Sequence, residues 1–273
     1  MSERLSLIAG SGGLAREVIE AARQRGYALQ VLALGRNKLL RGIDATPMRL
    51  SDLQAAIQAI KGFGATLVVM AGGITLGDLA RESLARFVGA HGAGALGDGR
   101  LSELAERITE KTGARLVGVQ EIAPHLLARE GLIGGPRPDP HQLEIAASAL
   151  SLARKAGALD LGQAIVVAGR RPIAAEDITG TDALLRRVQK YHGLGLAADG
   201  TSPLVLAKAA KPDQPLFVDL PAIGPVTVTK AKKAGITLVA VQADATIVIE
   251  RSKLARAADE ARLTVLALPV TDD

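Results

Sequence analysis

Residues 5–25 read LSLIAGSGGLAREVIEAARQR. The apolar run at the start is typical of a buried strand, and the glycine-rich GSGG that follows is typical of a turn. The rest places Leu14, Val18 and Ile19 on one face of a helix. Strand, turn and helix in this order form the repeating unit of parallel sheets, so the stretch predicts an α/β fold.

The same alternation continues along the first half of the chain and becomes less regular in the second. Further strands are predicted over 29–34, 66–71 and 115–119, and helices begin at 51–52 and 102. The second half predicts strands over 164–168, 172–175, 202–207, 216–219, 238–241, 246–250 and 264–267, and helices over 142–156, 182–188, 225–234 and 253–261. We therefore expect an N-terminal parallel-sheet βαβ domain and a C-terminal mixed α/β domain, with a cleft between them.

A stretch rich in proline and glycine separates the two halves. Residues 134–140 read GGPRPDP, a composition that neither a helix nor a central strand tolerates. The predicted organisation is a nucleotide- or substrate-binding domain over 1–132, a linker over 133–141 and a catalytic domain over 142–273.

The composition of the 273 residues excludes several classes of protein. Hydrophobic residues make up 48% and aromatic residues only 2%, so the exposed rings that single-stranded nucleic acids stack on are not expected. A net charge of +5, spread along the chain, suits an anionic small molecule or membrane surface better than a duplex. The lack of cysteine excludes disulfides and thiolate chemistry. Without a signal peptide or a long apolar span, a cytoplasmic protein with no nucleic-acid partner is expected.

Two glycine-rich turns follow predicted strands. Gly10-Ser11-Gly12-Gly13 joins a strand to a helix N-terminus, where backbone N–H groups attract phosphate. Gly72-Gly73 follows another strand, at the end where open parallel sheets bind ligands. Both turns are also compatible with tight backbone packing alone. The spacing is not G-x-G-x-x-G, and the second strand ends at Leu34-Gly35-Arg36 without a ribose-binding acid, which argues against a dinucleotide-dependent oxidoreductase.

A lysine pair and an acid in the second half indicate phosphate chemistry. Lys208 and Lys211 precede a connection stiffened by Pro212 and Pro215, so we expect them to project from a rigid loop. Asp219 lies between apolar neighbours and needs polar partners there. We expect the two lysines to be those partners and to neutralise phosphoryl charge. The alternative is a solvated loop acid paired with a lysine.

A second polar group precedes the helix predicted near residue 182. Thr181 or Asp182 could simply be the N-cap of that helix. However, Gln163, Glu176 and Asp177 are close in sequence, and Mg²⁺ commonly uses one or two carboxylates together with substrate phosphates. We therefore expect Gln163, Thr181 and Asp182 to position a metal ion or phosphate.

These motifs together resemble the LpxI family of UDP-2,3-diacylglucosamine pyrophosphatases of lipid A biosynthesis. The similarity covers nearly the whole chain in the right order, and residues 180–186 and 211–224 are its most distinctive parts. The other matching stretches are residues 7–14, 68–72, 121–124 and 161–164. The chain departs from the expected family pattern at Gly97-Asp98-Gly99, at Ile178-Thr179 and at Gln214-Pro215-Leu216-Phe217.

The resemblance implies hydrolysis of the substrate diphosphate to UMP and 2,3-diacylglucosamine 1-phosphate, known as lipid X, with Mg²⁺ or another divalent cation such as Mn²⁺. Asp219 matches the essential acid of the family. We expect Asp219 and Lys211 to be catalytic and Asp219 and Asp182 to hold the metal. The other polar residues and the two glycine turns would bind substrate. A homodimer, a Gram-negative source and contact with the cytoplasmic face of the inner membrane are further expectations. The alternative is a non-catalytic protein that binds a nucleotide sugar or an acyl lipid.

Overall fold

The computed structural model describes residues 3–35, 38–49, 52–73, 106–177, 179–197, 202–212 and 220–270. These residues form two compact units that divide between Pro124 and His125. We call them the first and second units.

The first unit contains a five-stranded sheet in which every pairing is parallel. Its strands lie in the order β3-β2-β1-β4-β5. They are β1 (Arg4–Ala9), β2 (Ala28–Leu34), β3 (Thr46–Met48), β4 (Leu67–Ala71) and β5 (Arg115–Val117). The chain therefore moves outward from β1 and then returns to its other side, which creates a topological switch point between β1 and β4. The predicted N-terminal parallel sheet is confirmed.

Helices cover both faces of this sheet, as a parallel sheet requires. The helix α1 (Leu14–Gln24) packs Val18 and Ile19 against Leu7 on one face. The helix α2 (Leu53–Phe63) packs Ile60 against Ile8 on the other. Leu7 and Ile8 point to opposite faces because side chains alternate along a strand. Residues 106–112 are also helical, and the short α3 spans Val119–Ile122.

The second unit contains a six-stranded mixed sheet, as predicted. Its strands lie in the order β6-β13-β11-β9-β7-β8, and β10 and β12 form a separate parallel pair. The strands β9, β11 and β13 run parallel to one another, whereas β6 and β7 run antiparallel to their neighbours. The bounds are β6 (Gly131–Gly134), β7 (Ala164–Ala168), β8 (Arg171–Ala175), β9 (Leu204–Lys208), β10 (Ala222–Ile223), β11 (Leu238–Gln242), β12 (Ile247–Val248) and β13 (Thr264–Leu268).

Helices on both sides of the second sheet give three layers. The helix α4 packs Leu150 against Val205 and Leu266 on one face. On the other face three helices pack Leu184, Val228 and Leu254 into a second core. The helices are α4 (Pro140–Ala158), α5 (Thr181–Gly193), α6 (Pro225–Lys233) and α7 (Arg251–Ala261). In the part of the chain that the structure describes, no helix is long and apolar enough to cross a membrane.

The stretch that the sequence assigns to an interdomain linker belongs to the second unit. The strand β6 pairs antiparallel with β13 at the sheet edge, where glycine and proline are tolerated. The amide of Gly135 donates to Asp259 Oδ1 at 2.7 Å, and the Pro136 carbonyl accepts from Thr264 Oγ1 at 2.9 Å. Asp139 then caps α4. The composition of this stretch therefore reflects an edge strand and a helix start.

Candidate functional site

The two glycine turns lie side by side, at the carboxyl ends of the adjacent strands β1 and β4. The amide of Gly10 donates to the Ala71 carbonyl at 2.8 Å. Ser11 and Gly73 exchange two backbone hydrogen bonds, each 2.8 Å long. Both turns therefore stand at the switch point of the sheet, where ligands bind in open α/β folds.

Tight backbone contact explains some of these glycines. A Cβ on Gly10 would lie 2.5 Å from the Gly73 carbonyl oxygen, and one on Gly72 would lie 2.5 Å from the Ser11 carbonyl oxygen. Gly12 has a φ of +89° with nothing within 4 Å of its Cβ position, so conformation and not space favours glycine there. The packing explanation that the sequence left open thus accounts for Gly10 and Gly72.

The start of α1 retains the chemistry expected of an anion site. Gly13 is the N-cap residue and provides no side-chain cap. The first turn of a helix presents backbone N–H groups and the positive end of the helix dipole. These features suit a phosphate, and the binding role of this turn stays a prediction.

Predicted residues of the second unit gather at the end of the sheet where the neighbouring strands β9 and β7 respectively end and begin. Lys208 is the last residue of β9 and is paired with Ala164, the first residue of β7. Gln163 immediately precedes β7, and its carbonyl accepts from the amide of Ala209 at 3.0 Å. Lys211 follows shortly after β9. The antiparallel pairing therefore brings together two lysines and a glutamine that are distant in sequence.

Lys208 is a buried strand residue, and the prediction that it projects from a stiff loop is wrong. It is 6% exposed and continues the apolar strand Leu204–Lys208, whose other members are also buried. Its Nζ donates to Thr181 Oγ1 at 3.0 Å and to the Ala222 carbonyl at 3.2 Å. A buried ammonium requires such oxygen partners. Lys208 therefore ties the end of β9 to the start of α5 and to β10.

A hydrogen-bonded chain leads from Lys208 to Glu176, a carboxylate that the sequence did not select as a site residue. Thr181 Oγ1 donates to Glu176 Oε1 at 2.6 Å, and Glu176 Oε2 accepts from the amide of Gln163 at 3.0 Å. The N-cap position of α5 is occupied by Gly180. The interpretation of Thr181 or Asp182 as a simple N-cap is therefore wrong. The nearness of Glu176 to Thr181 in sequence was the available signal.

Two other predicted site residues near this end of the sheet, Asp182 and Lys211, form ion pairs. Asp182 pairs with Lys230 of α6, and Lys211 pairs with Asp160 in the turn before β7. The side chain of Lys211 is only 14% exposed, whereas that of Asp160 is 67% exposed. Lys230 was not predicted from the sequence, because it is one of three lysines in the last turn of α6 and no pattern distinguishes it.

Asp219 lies outside the described residues. Lys211 precedes it and Ala222 follows it in the sequence. Lys211 lies just after β9, and the Ala222 carbonyl accepts from Lys208 at the end of β9. The catalytic and metal-binding roles of Asp219 stay predictions.

A divalent cation held by Asp182 and Asp219 stays a prediction, and such an ion would also need the phosphates of a substrate as ligands. Among the residues that the structure describes, no group of three or more His, Asp or Glu side chains could hold a metal ion. Both carboxylate oxygens of Glu176 already accept hydrogen bonds. Mg²⁺ nevertheless needs only one or two protein carboxylates when phosphates and waters complete its shell. The predicted pair would supply two carboxylates, of which the described one, Asp182, pairs with Lys230 in this structure.

Asp177, next to Glu176, stabilises the connection between β8 and α5. Hydrogen bonds from the hydroxyl and then the amide of Thr179, together with the Arg187 guanidinium, lower the pKa of Asp177 from 3.8 to about 2. Arg187 also donates to the Ala175 carbonyl at 2.5 Å. Asp177 is thus an ionised structural acid at neutral pH.

Comparison with known proteins gives matches over both units. Residues 4–126 match the family model of the LpxI N-terminal domain, and residues 129–266 match that of the LpxI C-terminal domain. The chain is also 31% identical, over 97% of each sequence, to a protein of Caulobacter vibrioides named UDP-2,3-diacylglucosamine pyrophosphatase LpxI.

Proposed function

Because the chain belongs to the LpxI family, we propose that it hydrolyses the diphosphate of UDP-2,3-diacylglucosamine, the activity named for its Caulobacter relative. The products would be UMP and 2,3-diacylglucosamine 1-phosphate, within lipid A biosynthesis. One contact carries the proposal. The Lys208 ammonium bridges Thr181 of the family motif 180–186 and Ala222 of the family motif 211–224, at 3.0 and 3.2 Å.

Electrostatics support a diphosphate as the group that is bound. Phosphoryl transfer is catalysed mainly by positioning and by stabilising charge on the phosphoryl oxygens. Lys208 and Lys211 would neutralise that charge, and Thr181 and Gln163 would orient the phosphate. The ion pair with Asp160 holds the side chain of Lys211 close to the end of β9. The ammonium of Lys211 would therefore be positioned before the substrate arrives.

We assign the attacking water to Asp219. A carboxylate within hydrogen-bond reach can orient a water molecule and accept its proton as the water attacks phosphorus. Asp182 and Asp219 would also hold the divalent cation, Mg²⁺ or another such as Mn²⁺. When bound, that ion would neutralise negative charge on the diphosphate.

The glycine turn before α1 would bind an anionic or oxygen-rich part of the nucleotide. Its support is the uncapped helix start and the position of the turn at the switch point.

The direct test is incubation of the purified protein with UDP-2,3-diacylglucosamine and Mg²⁺ in oxygen-18 water. We expect UMP and lipid X in equal amounts, with the heavy oxygen in one of them, because water opens the anhydride. Excess EDTA should abolish turnover, and added Mg²⁺ should restore it. Binding of the substrate without release of UMP would support the non-catalytic alternative.

We further propose that the enzyme works at the cytoplasmic face of the inner membrane, because a substrate with two acyl chains partitions into bilayers. Flotation with anionic vesicles measures this association. The homodimer stays a prediction that light scattering can test.

A further inference from the structure

We propose that Glu176 is a positioning residue, which fixes Thr181 and, through Thr181, the ammonium of Lys208. This inference rests on the proposed function, because the ammonium would act on the substrate diphosphate.

The carboxylate of Glu176 is held at both of its oxygens by different parts of the second unit. Oε1 accepts from the hydroxyl of Thr181 at 2.6 Å, at the start of α5. Oε2 accepts from the amide of Gln163 at 3.0 Å, just before β7. Two anchors of this kind restrict both the position and the rotation of the carboxylate.

The backbone around Glu176 is equally constrained. Its amide donates to the Ala164 carbonyl at 2.8 Å. Gly162 has a φ of +113°, and a Cβ there would lie 2.9 Å from Glu176 Cβ. The chain at Gly162 thus packs directly on Glu176, and only glycine fits this contact without strain.

The donor and acceptor roles in this network have one consistent order. An ammonium can only donate, so Thr181 Oγ1 accepts from Lys208 Nζ. The single hydrogen of the hydroxyl is then donated to Glu176, which as a carboxylate can only accept. Glu176 therefore fixes the orientation of the hydroxyl whose lone pair faces Lys208. It also supplies negative charge one hydroxyl away from a buried cation.

A glutamine at position 176 would break this order while keeping the size of the side chain. Thr181 and Gln163 both donate to position 176, and an amide has only one accepting oxygen. One contact would be lost, and so would the negative charge. Since a displacement of about 1 Å can cost about a hundredfold in rate, we expect Glu176→Gln to lower kcat at least about tenfold, with a smaller change in KM.

A double-mutant cycle separates positioning from a general loss of structure. If Glu176 acts through Thr181, the variants Glu176→Gln and Thr181→Val should each lower kcat, and the double variant should be no slower than the slower single variant. Independent, multiplying losses would overturn the proposal. The matched control is Asp177→Asn, which removes the carboxylate next to Glu176 in the sequence. The carboxylate of Asp177 accepts from Thr179 and Arg187. It should keep wild-type kcat.

A readout that needs no turnover distinguishes this inference from the proposed function. We expect the NMR signal of the Lys208 ¹⁵Nζ group to shift or broaden in Glu176→Gln and Thr181→Val, and to be unchanged in Asp177→Asn. A Lys208 signal that Glu176→Gln leaves unchanged would overturn the inference even if the wild type is active. If the signals respond as expected but the wild type releases no UMP, the proposed function fails, whereas the contact through which Glu176 positions Lys208 stands.

Discussion

At the scale of single residues, a buried lysine is stable only when its ammonium is paired, and Lys208 has the Thr181 hydroxyl and the Ala222 carbonyl as partners. Replacement by methionine keeps the length and removes the charge. We predict that Lys208→Met lowers kcat about a hundredfold or more, the usual loss when one group that stabilises transition-state charge is removed.

Steady-state kinetics of UMP release measures this effect. Lys232→Met, which changes an exposed lysine of α6, should behave as the wild type. A Lys208→Met protein with kcat within twofold of the wild type would remove Lys208 from the reaction.

Asp177 gives a prediction about pH. Its pKa is lowered from 3.8 to about 2 by Thr179 and Arg187, so the folded state favours the ionised form. The resulting stabilisation is fully present above about pH 4 and is lost as the pH falls towards 2. Melting temperatures of the wild type and Asp177→Asn should therefore differ at pH 5, with the wild type higher, and converge near pH 2. A constant difference across this range would contradict the ionised hydrogen-bonded acid.

Sequence motifs identified most of the described residues that meet where β9 ends and β7 begins, but not how those residues are paired. Lys208 was expected in a loop because of the prolines that follow it, whereas its apolar neighbours extend the strand to include it. The roles of Glu176 and Lys230 arise from contacts between different elements. No local pattern marks such contacts.

At the scale of elements, the contact between the two glycine turns predicts opposite effects of the same substitution at two glycines. Gly72 has a φ of +99° and its Cβ would clash with backbone, whereas Gly62 lies within α2 with nothing within 4 Å of its Cβ position. We predict that Gly72→Ala lowers the free energy of unfolding by about 2 kcal/mol or more. Gly62→Ala should raise it by about 0.5–1 kcal/mol, because alanine favours helix.

Urea unfolding followed by circular dichroism measures both changes. Equal stability of the two variants would contradict the close approach of the turns.

Most strands and helices could be predicted because their apolar runs and periodicities are regular. The strands β3, β6 and β10 were not, since β3 contains Pro47, β6 contains two glycines and β10 has only two residues. Edge positions tolerate both residue types. An edge strand is hydrogen-bonded to a neighbouring strand on one side only, so the backbone N–H groups on its other side need no partner strand. The strand predicted over 115–119 ends at Val117, where Gly118 and Glu121 start α3 instead. The spacing of these two residues was the local signal.

At the scale of the whole molecule, each unit has its own layered core, and each carries candidate residues at or near the ends of its strands and helices. The sequence predicted the class of each sheet but not the order of its strands. Strand order depends on which elements pack against each other over long sequence distances. In the first unit it is this order that places the two glycine turns next to each other.

The most direct test of the proposed hydrolysis compares UMP release by the wild type, Asp219→Ala and Asp244→Ala under identical Mg²⁺ and substrate concentrations. Asp244 is an exposed acid of the second unit, with a side chain 67% exposed, and serves as the matched control. We predict that the wild type and Asp244→Ala release UMP at similar rates, whereas Asp219→Ala binds the substrate and releases almost none. Two results would contradict the account: release of UMP by Asp219→Ala at the wild-type rate, or a failure of all three proteins to release UMP.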